Sequence, residues 1–169
     1  MYEQHKLEQY FFDAPTIQHL ADFVAQYKTP RCLCPPMLST ELEKRDIAVR
    51  TLEIDERFTT LNGYRQYNMY RPEWIGAAFD LIVCDPPFIN ISLSQLFTAL
   101  RILSHYDYSH PLLVAYLARR GANLMHSFHR FNLQPIGYKP GYLTVQKTER
   151  SEIEFFGNLD AEAHARLAC

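Results

Sequence analysis

The sequence predicts a doubly wound α/β domain with a mainly parallel sheet and a C-terminal antiparallel hairpin, on three observations. Short apolar runs alternate with helical stretches along most of the chain. One of them, Phe79-Asp80-Leu81-Ile82-Val83-Cys84, is nearly continuous, as a strand buried on both faces of a parallel sheet must be. Near the end, Gly141 to Gln146 and Ile153 to Phe156 read as two strands joined by the polar turn Lys147 to Ser151.

Taken in order, Tyr10-Phe11-Phe12 leads into a helix capped by Asp13, with Pro15 in its first turn and Ile17, Leu20, Val24 and Tyr27 on one face. Arg31 to Cys34 is a short first strand, and Pro35-Pro36 breaks it before a helical stretch from Met37 to Lys44. A cofactor-binding loop is expected there, yet no glycine is present. Ile47 to Ile54 forms a second strand ending in Asp55, and Tyr64 to Asn68 a weaker third. After the fourth strand, Ser92 and Gln95 make a capping-box pair, with Leu93, Leu96, Phe97, Leu100 and Leu103 as the apolar stripe. Leu112 to Tyr116 is a fifth strand, and the segment through Arg130 reads as helix with Gly121 as its weak point.

With 169 residues, 47% of them hydrophobic and 14% aromatic, the chain is expected to be one globular domain spanning 1–169. The formal charge, 17 minus 19 or −2, gives no global attraction to a polyanion, so nucleic-acid binding requires a local patch. Cys32, Cys34, Cys84 and Cys169 contain no Cys-x-x-Cys pair, and the seven histidines show no ligand spacing, so no metal is expected. No window is long enough for a membrane span and the first residues lack signal-peptide character, which predicts a cytoplasmic protein.

The chemistry concentrates where the fourth strand ends, at Asp85-Pro86-Pro87-Phe88. Proline has no N–H for the ladder, so the strand stops here, and ligands of open α/β sheets bind at such carboxyl ends. The Asp85 carboxylate and the Pro86 carbonyl can both accept from one NH₂ group, with Pro87 stiffening the turn. Phe88 offers a π-face to a flat heterocycle or to positive charge developing on nitrogen. A plain strand-to-turn junction is the bland alternative. Arg119, Arg120, His126, His129, Arg130, Lys139, Lys147 and Arg150 concentrate positive charge in the last third. On one face with Tyr138, Tyr142 and Phe88 they would form a groove for a single strand, which makes Arg119, Arg120 and Tyr142 candidate substrate-binding residues. A solvated helix face explains the arginines from 119 to 130 equally well.

Asp85-Pro86-Pro87-Phe88 resembles the Asp-Pro-Pro-Phe/Tyr motif of S-adenosylmethionine-dependent amino-methyltransferases. Three further stretches extend the likeness: Gln9-Tyr10-Phe11-Phe12-Asp13 with Thr16 and Leu20, Cys34-Pro35-Pro36, and Glu53-Ile54-Asp55-Glu56-Arg57-Phe58. Together they resemble the probable N6-adenine methyltransferase family, which contains elongation-factor lysine methyltransferases and a zinc-finger ribosomal RNA adenine methyltransferase. The resemblance implies a class I methyltransferase sheet, in which a proline-containing turn replaces the glycine-rich loop, and S-adenosylmethionine as cofactor. It also implies cofactor contacts from Cys34, Pro35, Asp55 and Asp85, with Asp55 on the ribose hydroxyls. Asn68 stands where the family usually has an acid beside an aromatic; its amide can bond the cofactor's adenine without a charge-assisted contact.

The leading functional expectation is therefore methyl transfer to an exocyclic amine, adenine N6 in RNA or DNA. Protein lysine is the alternative acceptor, and it must first lose a proton, at a cost of about 4.6 kcal/mol at neutral pH. A catalytically inactive methyltransferase-like binding subunit is the third reading, supported by Asn68 and the small size.

Overall fold

A computed structural model describes all 169 residues. Its strands are β1 (Pro30–Leu33), β2 (Arg50–Glu53), β3 (Tyr64–Gln66), β4 (Leu81–Cys84), β5 (Leu112–Leu117), β6 (Gln134–Pro135) and β7 (Ile153–Gly157). They form one sheet in the order β3-β2-β1-β4-β5-β7-β6. The first five are parallel, while β7 runs antiparallel to both β5 and β6. The strand order reverses between β1 and β4, which is where a doubly wound sheet opens a crevice for ligands.

Helices α1 (Ala14–Val24), α2 (Pro36–Lys44), α3 (Leu93–Leu103), α4 (Gly121–Ser127) and α5 (Ala161–Ala168) complete the fold. One apolar cluster joins Leu20, Val24 and Leu42 to Cys32, Val83 and Leu113; the other joins Leu96 and Leu100 to Leu33, Ile82 and Val114. Alternate strand positions thus feed opposite layers, and β5 is buried at all six of its positions.

Local signals act as expected at α1, where the Asp13 side chain accepts from Thr16 N at 3.0 Å. At α3 only half of the capping box forms. Ser92 Oγ accepts from Gln95 N, but the Gln95 amide turns away to the Met69 carbonyl at 2.7 Å. The expected helix through Arg130 is broken into α4 and two flanking 3-10 turns, Ala118–Arg120 and His129–Phe131.

The C-terminal antiparallel pair exists but is built differently from the expected hairpin. Residues 141–146 form no strand; Tyr142 makes only an isolated bridge with Phe12. The partner of β7 is β6, a two-residue strand upstream, because β7 is needed inside the sheet beside β5. The segment between β6 and β7 is then free to fold back onto α1. Asp13 N donates to the Gly141 carbonyl at 2.9 Å, and Gly141 N donates to Thr16 Oγ1 at 2.8 Å. A β-carbon at Gly141 would stand 1.9 Å from Asp13 Oδ2. Gly141→Ala is accordingly expected to disturb the α1 cap and lower stability by about 1–2 kcal/mol, read as a reduced urea midpoint with unchanged slope. Helix α5, capped by Asp160 through Ala163 N at 2.8 Å, was not among the expected elements.

Candidate active site

A cavity of about 270 Å³ lies against the carboxyl ends of β1, β2 and β4. Asp85, Pro86, Pro87 and Phe88 line it together, joined by Cys34, Asn68 and Tyr142. Asp85 N donates to the Leu33 carbonyl at 3.1 Å, which anchors the motif to the end of β1. Asp85 Oδ1 accepts a 2.8 Å hydrogen bond from the Tyr142 hydroxyl, while Oδ2 has no protein partner. The Pro86 carbonyl likewise accepts from no donor, and both residues line the cavity. Burial pushes the Asp85 carboxyl up to about 8, against the pull of the Tyr142 hydrogen bond and with help from the nearby Glu53 charge. Phe88 packs edge-on against Tyr116 at 5.8 Å.

The loop after β1 shows why a glycine is dispensable. Cys34 itself takes the left-handed conformation, with φ 71°, that glycine would occupy without strain. Its thiol is pushed well above its ordinary range by burial and neighbouring acids, so it is a neutral wall residue. Pro35 does not reach the cavity; it sits at the start of α2, where its carbonyl accepts from Leu38 N and Ser39 N.

Asp55 is also placed away from the cavity wall. Its carboxylate is wrapped by Arg57, with Nη2 at 2.7 Å, and by Gln9 Nε2 at 2.9 Å. Burial raises its pKa, but the hydrogen bonds from Arg57 and Gln9 outweigh that and leave it lowered. The acid that does face the cavity is Glu53, two residues earlier, at the last position of β2. Only 4% exposed, Glu53 takes amide hydrogen bonds from Ile54 and Asp55 on Oε1, at 2.8 and 3.1 Å, and leaves Oε2 without a partner. Burial pushes it up to about 7, the amides pulling down and Asp55 pushing further up. The expected second strand runs to Ile54 with Asp55 at its tip, whereas β2 stops at Glu53.

Asn68 lines the cavity with its Oδ1 held by Tyr70 N at 2.9 Å and its NH₂ free. A segment from Lys6 to Tyr10 closes another side. The Glu8 carboxylate accepts from the amides of Ile89 at 3.0 Å and Asn90 at 2.6 Å, tying that segment to the loop beyond Phe88. Nothing in its sequence singled Glu8 out.

The basic residues of the last third are spread over both faces of the sheet, and of them Lys139 and Lys147 line a second pocket together with Tyr142. Tyr138 stacks between His19 and Phe155 in the α1 layer, whereas Arg130 lies over Tyr108 in the α3 layer on the opposite face. Lys139 is paired with Glu152 at 2.9 Å. Arg120 Nη1 reaches the Phe88 carbonyl at 3.4 Å, and Arg119 beside it is held by the Arg150 carbonyl at 3.1 Å.

Residues 3–159 match the family described as Probable N6-adenine methyltransferase. The chain belongs to this family. No curated protein sequence matches it. Among solved structures, a candidate RNA methyltransferase from Pyrococcus horikoshii aligns at TM-score 0.57 and 13% identity, over 92% of this chain and 87% of that one. Magnesium protoporphyrin IX methyltransferase from Synechocystis, solved with bound S-adenosylmethionine, aligns at TM-score 0.56 and 13% identity over 85% and 77%. A 16S rRNA methyltransferase of T. thermophilus, in complex with the same cofactor and guanosine, gives TM-score 0.52 and 14% identity over 85% of this chain and 38% of that one. These likenesses establish the fold of the family member described here as the class I methyltransferase fold. No helix in it is long and apolar enough to cross a membrane.

Proposed function

We propose that this member of the N6-adenine methyltransferase family uses S-adenosylmethionine to methylate an exocyclic amine, adenine N6 of a nucleic acid being the favoured acceptor. The observation that carries the reading is the pair of unpartnered acceptors, Asp85 Oδ2 and the Pro86 carbonyl, on consecutive residues that line the cavity. Two acceptors so placed can each take one N–H of a planar NH₂ group, fixing it and directing its lone pair. Phe88 adds an apolar ring at the same edge.

The residues present fit the cofactor. Glu53, buried with one free oxygen, suits a pair of ribose hydroxyls, and the free amide of Asn68 suits an adenine ring. The cavity is lined by three acids, Glu8, Glu53 and Asp85, against one base, Lys6, and a cationic ligand would favour the ionised forms of Glu53 and Asp85, which burial alone disfavours. When bound, S-adenosylmethionine supplies an electrophilic methyl group on a positively charged sulfur. Asp85 then acts on the acceptor, accepting from its amine and orienting it. After transfer, the product nitrogen carries an extra proton, which an ionised Asp85 can take.

Lysine of a protein partner is the second reading, favoured by Leu7 and Tyr70, which line the cavity and are exposed. Labelled cofactor incubated with RNA, DNA and protein fractions separates the readings by where the label enters. With an RNA acceptor, activity under subsaturating conditions is expected to fall with salt, and neutralising Arg119 and Arg120 together is expected to reduce the slope of log activity against log salt by about 2. Label in protein alone, indifferent to both arginines, would reverse the preference for nucleic acid.

A further inference from the structure

One polar contact of the cavity belongs to neither ligand: the 2.8 Å hydrogen bond from the Tyr142 hydroxyl to Asp85 Oδ1. Tyr142 lies in no helix or strand, yet its place is fixed from both sides. The residue before it exchanges hydrogen bonds with Asp13 and Thr16, and Leu143 N donates to the Phe11 carbonyl at 2.9 Å. Its ring packs on Phe12 with centroids 5.0 Å apart. Three hydrogen bonds therefore flank one residue of an otherwise irregular segment, and they hold its hydroxyl against the acid of the motif.

We propose, resting on the methyl-transfer reading above, that Tyr142 is a positioning residue: its hydroxyl holds Asp85 by one oxygen and favours the ionised carboxylate, leaving the other oxygen to the acceptor amine. The groups facing Asp85 are Glu53 at the end of β2, Cys34 after β1, Cys84 on its own strand and Tyr142. Both thiols are pushed well above their ordinary range by burial and stay neutral, and Glu53 drives the Asp85 pKa upward. Tyr142 alone draws it down. Burial and the Asp85 charge keep its own phenol well above the usual range, so it remains a donor wherever the protein is studied.

The role is tested on Asp85 itself, by carboxyl-carbon NMR of the free protein labelled at aspartate, with Asp85→Asn identifying the resonance. Tyr142→Phe is expected to move the midpoint upward by about one to two pH units, the size of a lost hydrogen bond to a charged group. The acid limb of kcat/KM should move with it, so that transfer drops roughly ten- to a hundredfold at pH 7 and recovers in alkali. An unchanged Asp85 midpoint overturns the proposal, even where activity is lost, because loss at every pH without a shift is what mere packing gives. The NMR arm needs no acceptor and stands even if methyl transfer itself is not found. Should the phenylalanine variant not fold, Thr16→Val, which removes the acceptor of Gly141 N and so loosens the segment while keeping the Tyr142 hydroxyl, is read in the same way. A smaller upward shift supports the proposal, and none overturns it.

Discussion

Replacing Asp85 by asparagine is expected to reduce methyl transfer by roughly a hundred- to a thousandfold while leaving affinity for S-adenosylhomocysteine nearly intact. Asparagine keeps the volume of the side chain but offers one acceptor instead of a carboxylate, and it cannot take up the proton the product nitrogen must lose. The loss should fall on kcat, since Asp85 acts on the acceptor amine. The same variant should alter stability in the opposite sense. The Asp85 carboxyl is raised from 3.8 to about 8 by burial, so in the native state it holds its proton through a range where the unfolded chain has released it. Wild-type stability therefore falls as pH rises from about 4 to about 8, and Asp85→Asn removes that slope. Thermal scans across the window should show the variant gaining on the wild type as pH rises. A variant that loses cofactor first would instead assign Asp85 to the cofactor.

Glu53→Gln is expected to weaken binding of S-adenosylhomocysteine by roughly ten- to a hundredfold in calorimetry, the effect of replacing charge-assisted hydrogen bonds to hydroxyls with neutral ones. The unpartnered Oε2 of this buried, cavity-lining side chain motivates this. Asp55→Ala provides the control. Its carboxylate is occupied by Arg57 and Gln9, so its removal should loosen that network and change affinity much less. The reverse ranking would return the ribose contact to Asp55.

The sequence carried more of the sheet than of the cavity. Buried strands such as Leu81–Cys84 and the Asp13 cap announce themselves, because apolar periodicity and capping act over a few residues. The Asp-Pro-Pro-Phe edge was legible for the same reason: two prolines end a strand wherever they occur. The pairing of β7 was not, since β5 competes for that strand from 40 residues away, and local alternation at Gly141 to Gln146 cannot register the competition. Glu53 and Asp55 differ only in where a strand stops, which backbone pairing with β3 decides. Glu8 was invisible because its partners, the amides of Ile89 and Asn90, are brought to it by the tertiary fold alone.

The chain between β3 and β4 contains no helix, although a crossover of that length ordinarily carries one. It is pinned at its far end instead, by Arg31 Nη2 on the Ala77 carbonyl at 2.6 Å, by the Arg31 guanidinium over Phe79, and by Asp80 on the amides of Lys28 and Thr29. Its near end supplies Asn68, Met69 and Tyr70 to the cavity wall. With few backbone hydrogen bonds of its own, this stretch belongs to the part of the molecule that opens at least free-energy cost, and amide exchange is the measure of that opening. Whatever fills the cavity must therefore also order this wall, and part of its binding free energy is returned as local stability of residues 68–80.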